Sequence, residues 1–122
     1  MACHQGINVG GNMLELFGLR LDLSLGAHPG LAVDPGRYAV THDEFDRHVF
    51  RVPSLRNVAV TSPYFHDGSV PTLEEAVDVM FTHQLGRTVS KNDGALIVEF
   101  LGTLTGEYRG HMLTRTPGDS GN

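Results

Sequence analysis

The chain has 122 residues, nine Lys and Arg against fourteen Asp and Glu, a formal net charge of −5, and 40% apolar residues with no Trp. That length bounds it to about one domain. No run of about 18 apolar residues exists, which excludes a membrane-spanning helix. The single cysteine, Cys3, excludes an internal disulfide framework. An acidic balance without a basic cluster argues against nucleic-acid binding. Fifteen glycines and six prolines describe a loop-rich chain with a thin core. Against this background two features stand out: seven histidines, and a lone cysteine beside one of them.

In chain order, Met1-Ala2-Cys3-His4-Gln5 carries neither the basic nor the apolar segment of a signal peptide, and no element precedes Cys3. The start reads as cut or mis-set. Cys3-His4 is the back half of C-x-x-C-H, in which two thiols bind one haem and the histidine rises under the iron. On these two residues alone, an ordinary thiol beside an ordinary histidine is the competing reading. Gly10-Gly11, Pro29-Gly30 and Pro35-Gly36 then punctuate a glycine-rich stretch. Within it, Leu19 to Leu25 alternate as in a strand.

Pro53 suits the first turn of a short helix, predicted over 54–60. Residues 61–71 form a long loop carrying Tyr64, Phe65 and His66 in succession. Such a loop covers either an apolar ligand or partner, or its own core. Thr72 with Glu75 forms a capping box. Leu73, Ala76, Val77, Met80 and Phe81 follow at helical spacing, with Gly86 as the stop. A second box, Ser90 with Asp93, opens a last helix through Ile97, Phe100, Leu101 and Leu104. Gly94 and Gly102 weaken that helix, and Gly106 is its natural C′ residue. The polar stretch from Tyr108 to Asn122 is expected to fray. No phosphate-binding glycine loop, paired-carboxylate signature or zinc pattern appears.

Several segments together resemble one family. They are Cys3-His4-Gln5-Gly6-Ile7-Asn8-Val9-Gly10-Gly11-Asn12, Phe50 through Val58, Thr61 through Ser69, Thr72 through Val77, and Gln84-Leu85-Gly86-Arg87. They are similar to the C-terminal domain of bacterial dihaem cytochrome c peroxidases, over residues 3 to 107. The resemblance implies a mainly α, cytochrome-c-like haem domain of short helices and long loops spanning 1–107, followed by a polar tail at 108–122. It implies a periplasmic enzyme whose other, N-terminal haem domain reduces hydrogen peroxide to water. This domain would relay electrons to it from a small cytochrome or cupredoxin. The first cysteine of the haem motif would then fall just before Met1. Homodimerisation of the parent is left open.

By the same resemblance, Cys3 is the haem thioether and His4 the proximal iron ligand. Met80 is the distal ligand, a soft thioether that favours reduced iron. Core packing is the other reading of Met80, and both hold if its stripe faces the haem. Met13 and Met112 sit in no matching motif. Arg51 and Arg56 are candidates for haem-propionate contacts, against a reading as solvated surface arginines. Thr61 and Pro63 match positions whose backbone carbonyls help hold a calcium ion at the domain boundary. Phe65 and His66 match a loop near the inter-haem region, where they are expected to pack and couple rather than catalyse. Two alternatives remain. One is a related dihaem enzyme that oxidises a protein substrate, of the tryptophylquinone-maturation type. The other is a haem-free binding or remnant module.

Overall fold

The computed structural model describes residues 3–20, 30 and 33–114. The first element is a short strand, β1 (Leu14–Leu16), followed later by one helical turn, α1 (Tyr38–Thr41), and a 3-10 turn at Glu44–Asp46. Strand β2 (Val49–Arg51) pairs antiparallel with β1, placing Leu14 opposite Arg51 and Leu16 opposite Val49. A 3-10 turn at Val58–Val60 leads into the Tyr64 loop. Helix α2 (Leu73–Val79) runs directly into a π-helix, Met80–Leu85. Helix α3 (Lys91–Thr103) is the longest element, and a small hairpin of β3 (Glu107–Tyr108) and β4 (His111–Met112) follows it.

The two capped helices form as their sequences predict. Thr72 Oγ1 accepts from the Glu75 amide at 3.3 Å, and Ser90 Oγ accepts from the Asp93 amide at 3.1 Å. Each bond satisfies one of the amides that a helix start leaves open. Gly86 ends the π-helix in the left-handed region at φ 63. Leu73, Ala76, Val77 and Val79 are buried from α2, and Leu101 from α3. Tyr64 and Val70 join them, bridged across the loop by the Tyr64 amide donating to the Val70 carbonyl at 2.7 Å. The 61–71 loop therefore folds back on the core, as one of its two readings required. Among the described residues only Val70 is completely buried.

Three expectations are corrected. The helix predicted over 54–60 is a 3-10 turn of three residues, because Asn57 takes a left-handed φ of 62 ahead of it and breaks the helical path. Helix α3 ends at Leu104, not at a left-handed Gly106; the Gly106 amide instead donates to Asn57 Oδ1 at 2.8 Å. Fraying from Tyr108 onward is not what residues 108–114 do. Gly110, at φ 80, turns the chain so that β3 and β4 pair. Residues 115–122 and most of the Leu19–Leu25 alternation lie outside the described residues.

Candidate functional site

The Cys3–His4 loop is fastened to the segment that follows β2. The Gly11 amide donates to the Val52 carbonyl at 2.8 Å, and the Leu55 amide to the Val9 carbonyl at 3.2 Å. Ser54 Oγ donates to the Asn8 carbonyl at 2.6 Å, and Arg51 Nε to the Gly11 carbonyl at 3.2 Å. Gly10 makes this approach feasible. A Cβ there would stand 2.0 Å from the Pro53 carbonyl oxygen, and its φ of 136 suits glycine alone.

His4 is half-buried, with its Nδ1 at 3.2 Å from the Pro53 carbonyl. With a proton on Nδ1 the ring donates to that carbonyl, and Nε2 keeps its lone pair for a metal. A metal-binding histidine usually has its second nitrogen engaged in this way, which fixes both ring orientation and tautomer. Cys3, a free and half-buried thiol, stands beside it. Pro53 was read in the sequence only as a helix-start residue; its part here is its carbonyl. The Gly10-Gly11 pair and the proline at 53 were the available signals, but only the fold brings the two segments together.

Met80 sits at the junction of α2 and the π-helix, half-buried, its amide reaching both the Ala76 and Val77 carbonyls. The i→i+5 pattern that begins there is rare and concentrates at functional sites. A residue not singled out from sequence holds this segment: Gln84 is 9% exposed and bonded to the stretch that leaves β1. Among the described residues no hydrogen bond or ring contact joins Met80 directly to the Cys3–His4 loop. The link runs through Gln84, β1 and β2.

The remaining candidates lie at the edges. Arg51 is exposed and clamps Gly11. Arg56 is exposed and, with Ile7, Asn8, Val9 and Leu104, lines an open hollow of about 220 Å³. Neither arginine has a carboxylate partner among the described residues. Thr61 Oγ1 donates to the Val58 carbonyl, while the Thr61 and Pro63 carbonyls accept no hydrogen bond from described residues. Between them the Ser62 hydroxyl is buried without a hydrogen-bond partner among the described residues. The two carbonyls and this hydroxyl are oxygens, the donor type a hard cation prefers. Among the described residues no three His, Cys, Asp or Glu side chains group as a metal site.

An aromatic cluster stands beside β2. His66 stacks on Phe50 with centroids 4.5 Å apart, and Phe17 meets Phe65 at 5.3 Å. Phe65 and His66 thus pack, the first half of what was expected of them.

A family model described as RoxA-like, cytochrome c-like matches residues 49–80, the stretch from β2 to Met80. The chain is 46% identical over 110 residues to the cytochrome c peroxidase Ccp of Escherichia coli, covering 90% of this chain and 23% of that protein. It is 45% identical over 106 residues to the cytochrome c551 peroxidase of Pseudomonas aeruginosa, covering 87% of this chain and 30% of that protein. The cytochrome c551 peroxidase of Nitrosomonas europaea is 45% identical over 117 residues, 94% of this chain and 33% of that protein. The chain thus spans between about a quarter and a third of the length of these three relatives. A solved structure of a MauG-like protein associated with microbial copper homeostasis superposes with a TM-score of 0.66 at 29% identity. That match covers 86% of this chain and 42% of the other.

Proposed function

The chain is homologous to one segment of the bacterial cytochrome c peroxidases, a cytochrome c-like domain, and from that premise we propose that it is the electron-transfer haem domain of such an enzyme. The carrying observation is the His4 ring, held through Nδ1 by the Pro53 carbonyl beside the Cys3 thiol, with Nε2 left for iron. The donor chemistry of the residues suits a c-type haem: Cys3 would supply a thioether, and the His4 nitrogen and Met80 sulfur would hold the iron. Such a haem would supply a one-electron couple whose potential a methionine ligand raises.

The chain's own residues orient and insulate. Pro53 fixes the His4 plane, Gly10 lets the loop approach Pro53, and the α2–π junction presents Met80. Arg51 and Arg56, with no carboxylate partner among the described residues, are assigned to the propionates. Thr61 and Pro63 are assigned to a calcium ion, which the Ser62 hydroxyl and the two carbonyls, without partners among the described residues, suit. No proton-transfer residue is needed here, because outer-sphere electron transfer breaks no bond.

In the whole enzyme, this domain would relay electrons from a small cytochrome or cupredoxin to a second, peroxidatic haem in an N-terminal domain. The chemistry supplied there would be the reduction of one hydrogen peroxide, with two electrons and two protons, to two waters. We assign this work to the periplasm, as the resemblance to the dihaem peroxidases implies. Among the described residues no helix is long and apolar enough to cross a membrane. The test is peroxide consumption by the haem-loaded protein that carries this chain, with reduced cytochrome c as donor. Turnover with two donors oxidised per peroxide is expected. Oxidation of a protein substrate without peroxide-dependent donor turnover would favour the second reading, a maturation-type enzyme, for which the MauG-like neighbour speaks.

A further inference from the structure

We propose that Gln84 is a positioning residue that sets Met80 and His4 relative to one another, by locking the Met80 arm to the strand pair that carries the His4 anchor. The inference rests on the haem-ligand reading above. Gln84 Oε1 accepts from the Gly18 amide at 2.8 Å and from the Leu19 amide at 3.4 Å, while its Nε2 donates to the Leu16 carbonyl at 2.7 Å. A second tie in the same seam is the Arg20 amide donating to the His83 carbonyl at 3.0 Å. Leu16 lies opposite Val49 in the β1–β2 pair. Beyond β2, the Val52 amide donates to the Met13 carbonyl at 2.9 Å, and Pro53 accepts from His4. One continuous set of directed bonds therefore runs from the π-helix to the proximal histidine.

The position of Gln84 in its own element matters as much. It follows Met80 by four residues in a helix whose bonds run i→i+5, so the two are about one turn apart. Rotation or slippage of this wide turn would carry Met80 with it. An amide is the side chain that suits the lock, because one planar group presents both an acceptor and a donor. Glutamate keeps the acceptor, but its ionised form turns an oxygen toward the Leu16 carbonyl. Methionine fills a similar volume and forms neither bond.

The test uses the haem-loaded protein carrying this chain, with Gln84→Met, Gln84→Glu, Met80→Ala and Asn57→Gly variants. The readouts are the methionine-to-iron absorption of the ferric haem, the reduction potential and the melting temperature. Gln84→Met is expected to lose most of that absorption and to lower the potential. Gln84→Glu is expected to lose it at neutral pH and regain it on acidification relative to the parent, because a protonated carboxyl again donates to Leu16. Should Gln84→Met not fold, the pH-dependent recovery in Gln84→Glu decides. Asn57→Gly removes another long-range bond, to the Gly106 amide, and is expected to lower the melting temperature while keeping the absorption. If the Gln84 variants melt earlier but keep absorption and potential, as Asn57→Gly does, the positioning role is overturned and the Met80 assignment stands. If Met80→Ala itself keeps the absorption, the ligand reading fails and this inference falls with it.

Discussion

Gly10 and Gly102 are the same residue with opposite stakes. At Gly10 a Cβ would collide with the Pro53 carbonyl at 2.0 Å, in a backbone region closed to other side chains. Gly10→Ala is expected to cost at least about 1–3 kcal/mol, the usual range for a strained backbone position, and to displace the acceptor of His4. Gly102 lies exposed near the end of α3 with nothing within 4 Å of a Cβ. Gly102→Ala is expected to stabilise by about 0.4–1 kcal/mol, through a less flexible unfolded chain and better helix propensity. Urea unfolding of both variants checks the contrast. Cys3, His4 and Met80 stand out in sequence as candidate ligands only through the resemblance, since a thiol beside an imidazole and a methionine on an apolar stripe each have an ordinary reading as well. The contacts of Pro53 and Gln84 were not legible, because their partners lie 49 and as many as 68 positions away.

The helices were the most legible elements. Their signals, a cap and an apolar stripe, are carried within one turn or two. Thr72→Ala and Ser90→Ala should each cost about 1 kcal/mol, within the range for loss of an N-cap, read as a shift in denaturant midpoint. The π-helix was not foreseen, because its residues continue the α2 periodicity for one more turn before the register widens. Strands β1 to β4 are two or three residues long, too short for alternation to declare them. The segment from α1 to β2 is held mainly by polar contacts. Arg47 forks onto Glu44 at 2.9 Å through both Nε and Nη2 and lies 4.0 Å over the Tyr38 ring, and Arg37 meets Asp46 at 3.1 Å. The hydrogen bond from Arg47 holds the Glu44 carboxyl below its ordinary value. A depressed carboxylate contributes stability above its unfolded pKa and loses it as pH falls through the folded one. Glu44→Gln should therefore flatten the acid side of the stability profile slightly. The effect is small because the pair is solvent-exposed. Melting temperatures across the carboxylate range, with and without the substitution, measure it.

As a whole the molecule pairs a small core with much exposed apolar surface. Ile7 is 100% exposed, and Leu14, Leu19 and Leu85 are each about half exposed. The last two flank the seam where Gln84 meets the stretch after β1. Composition already pointed to a thin core, and the resemblance supplied a reason that composition does not count: a large apolar cofactor at the centre. Without haem, the chain is expected to melt over a broad range and to bind an apolar dye; with haem, to melt sharply and bind little. Circular dichroism and dye fluorescence distinguish the two.

The most direct measurement is of the haem itself, in the protein that carries this chain after denaturation and digestion, and in its Met80→Ala variant before it. The account predicts haem retained covalently on the peptide containing Cys3 and His4, and a methionine-to-iron absorption in the ferric protein that Met80→Ala abolishes. A Cys3–His4 peptide free of haem, or an absorption unchanged by Met80→Ala, would contradict it.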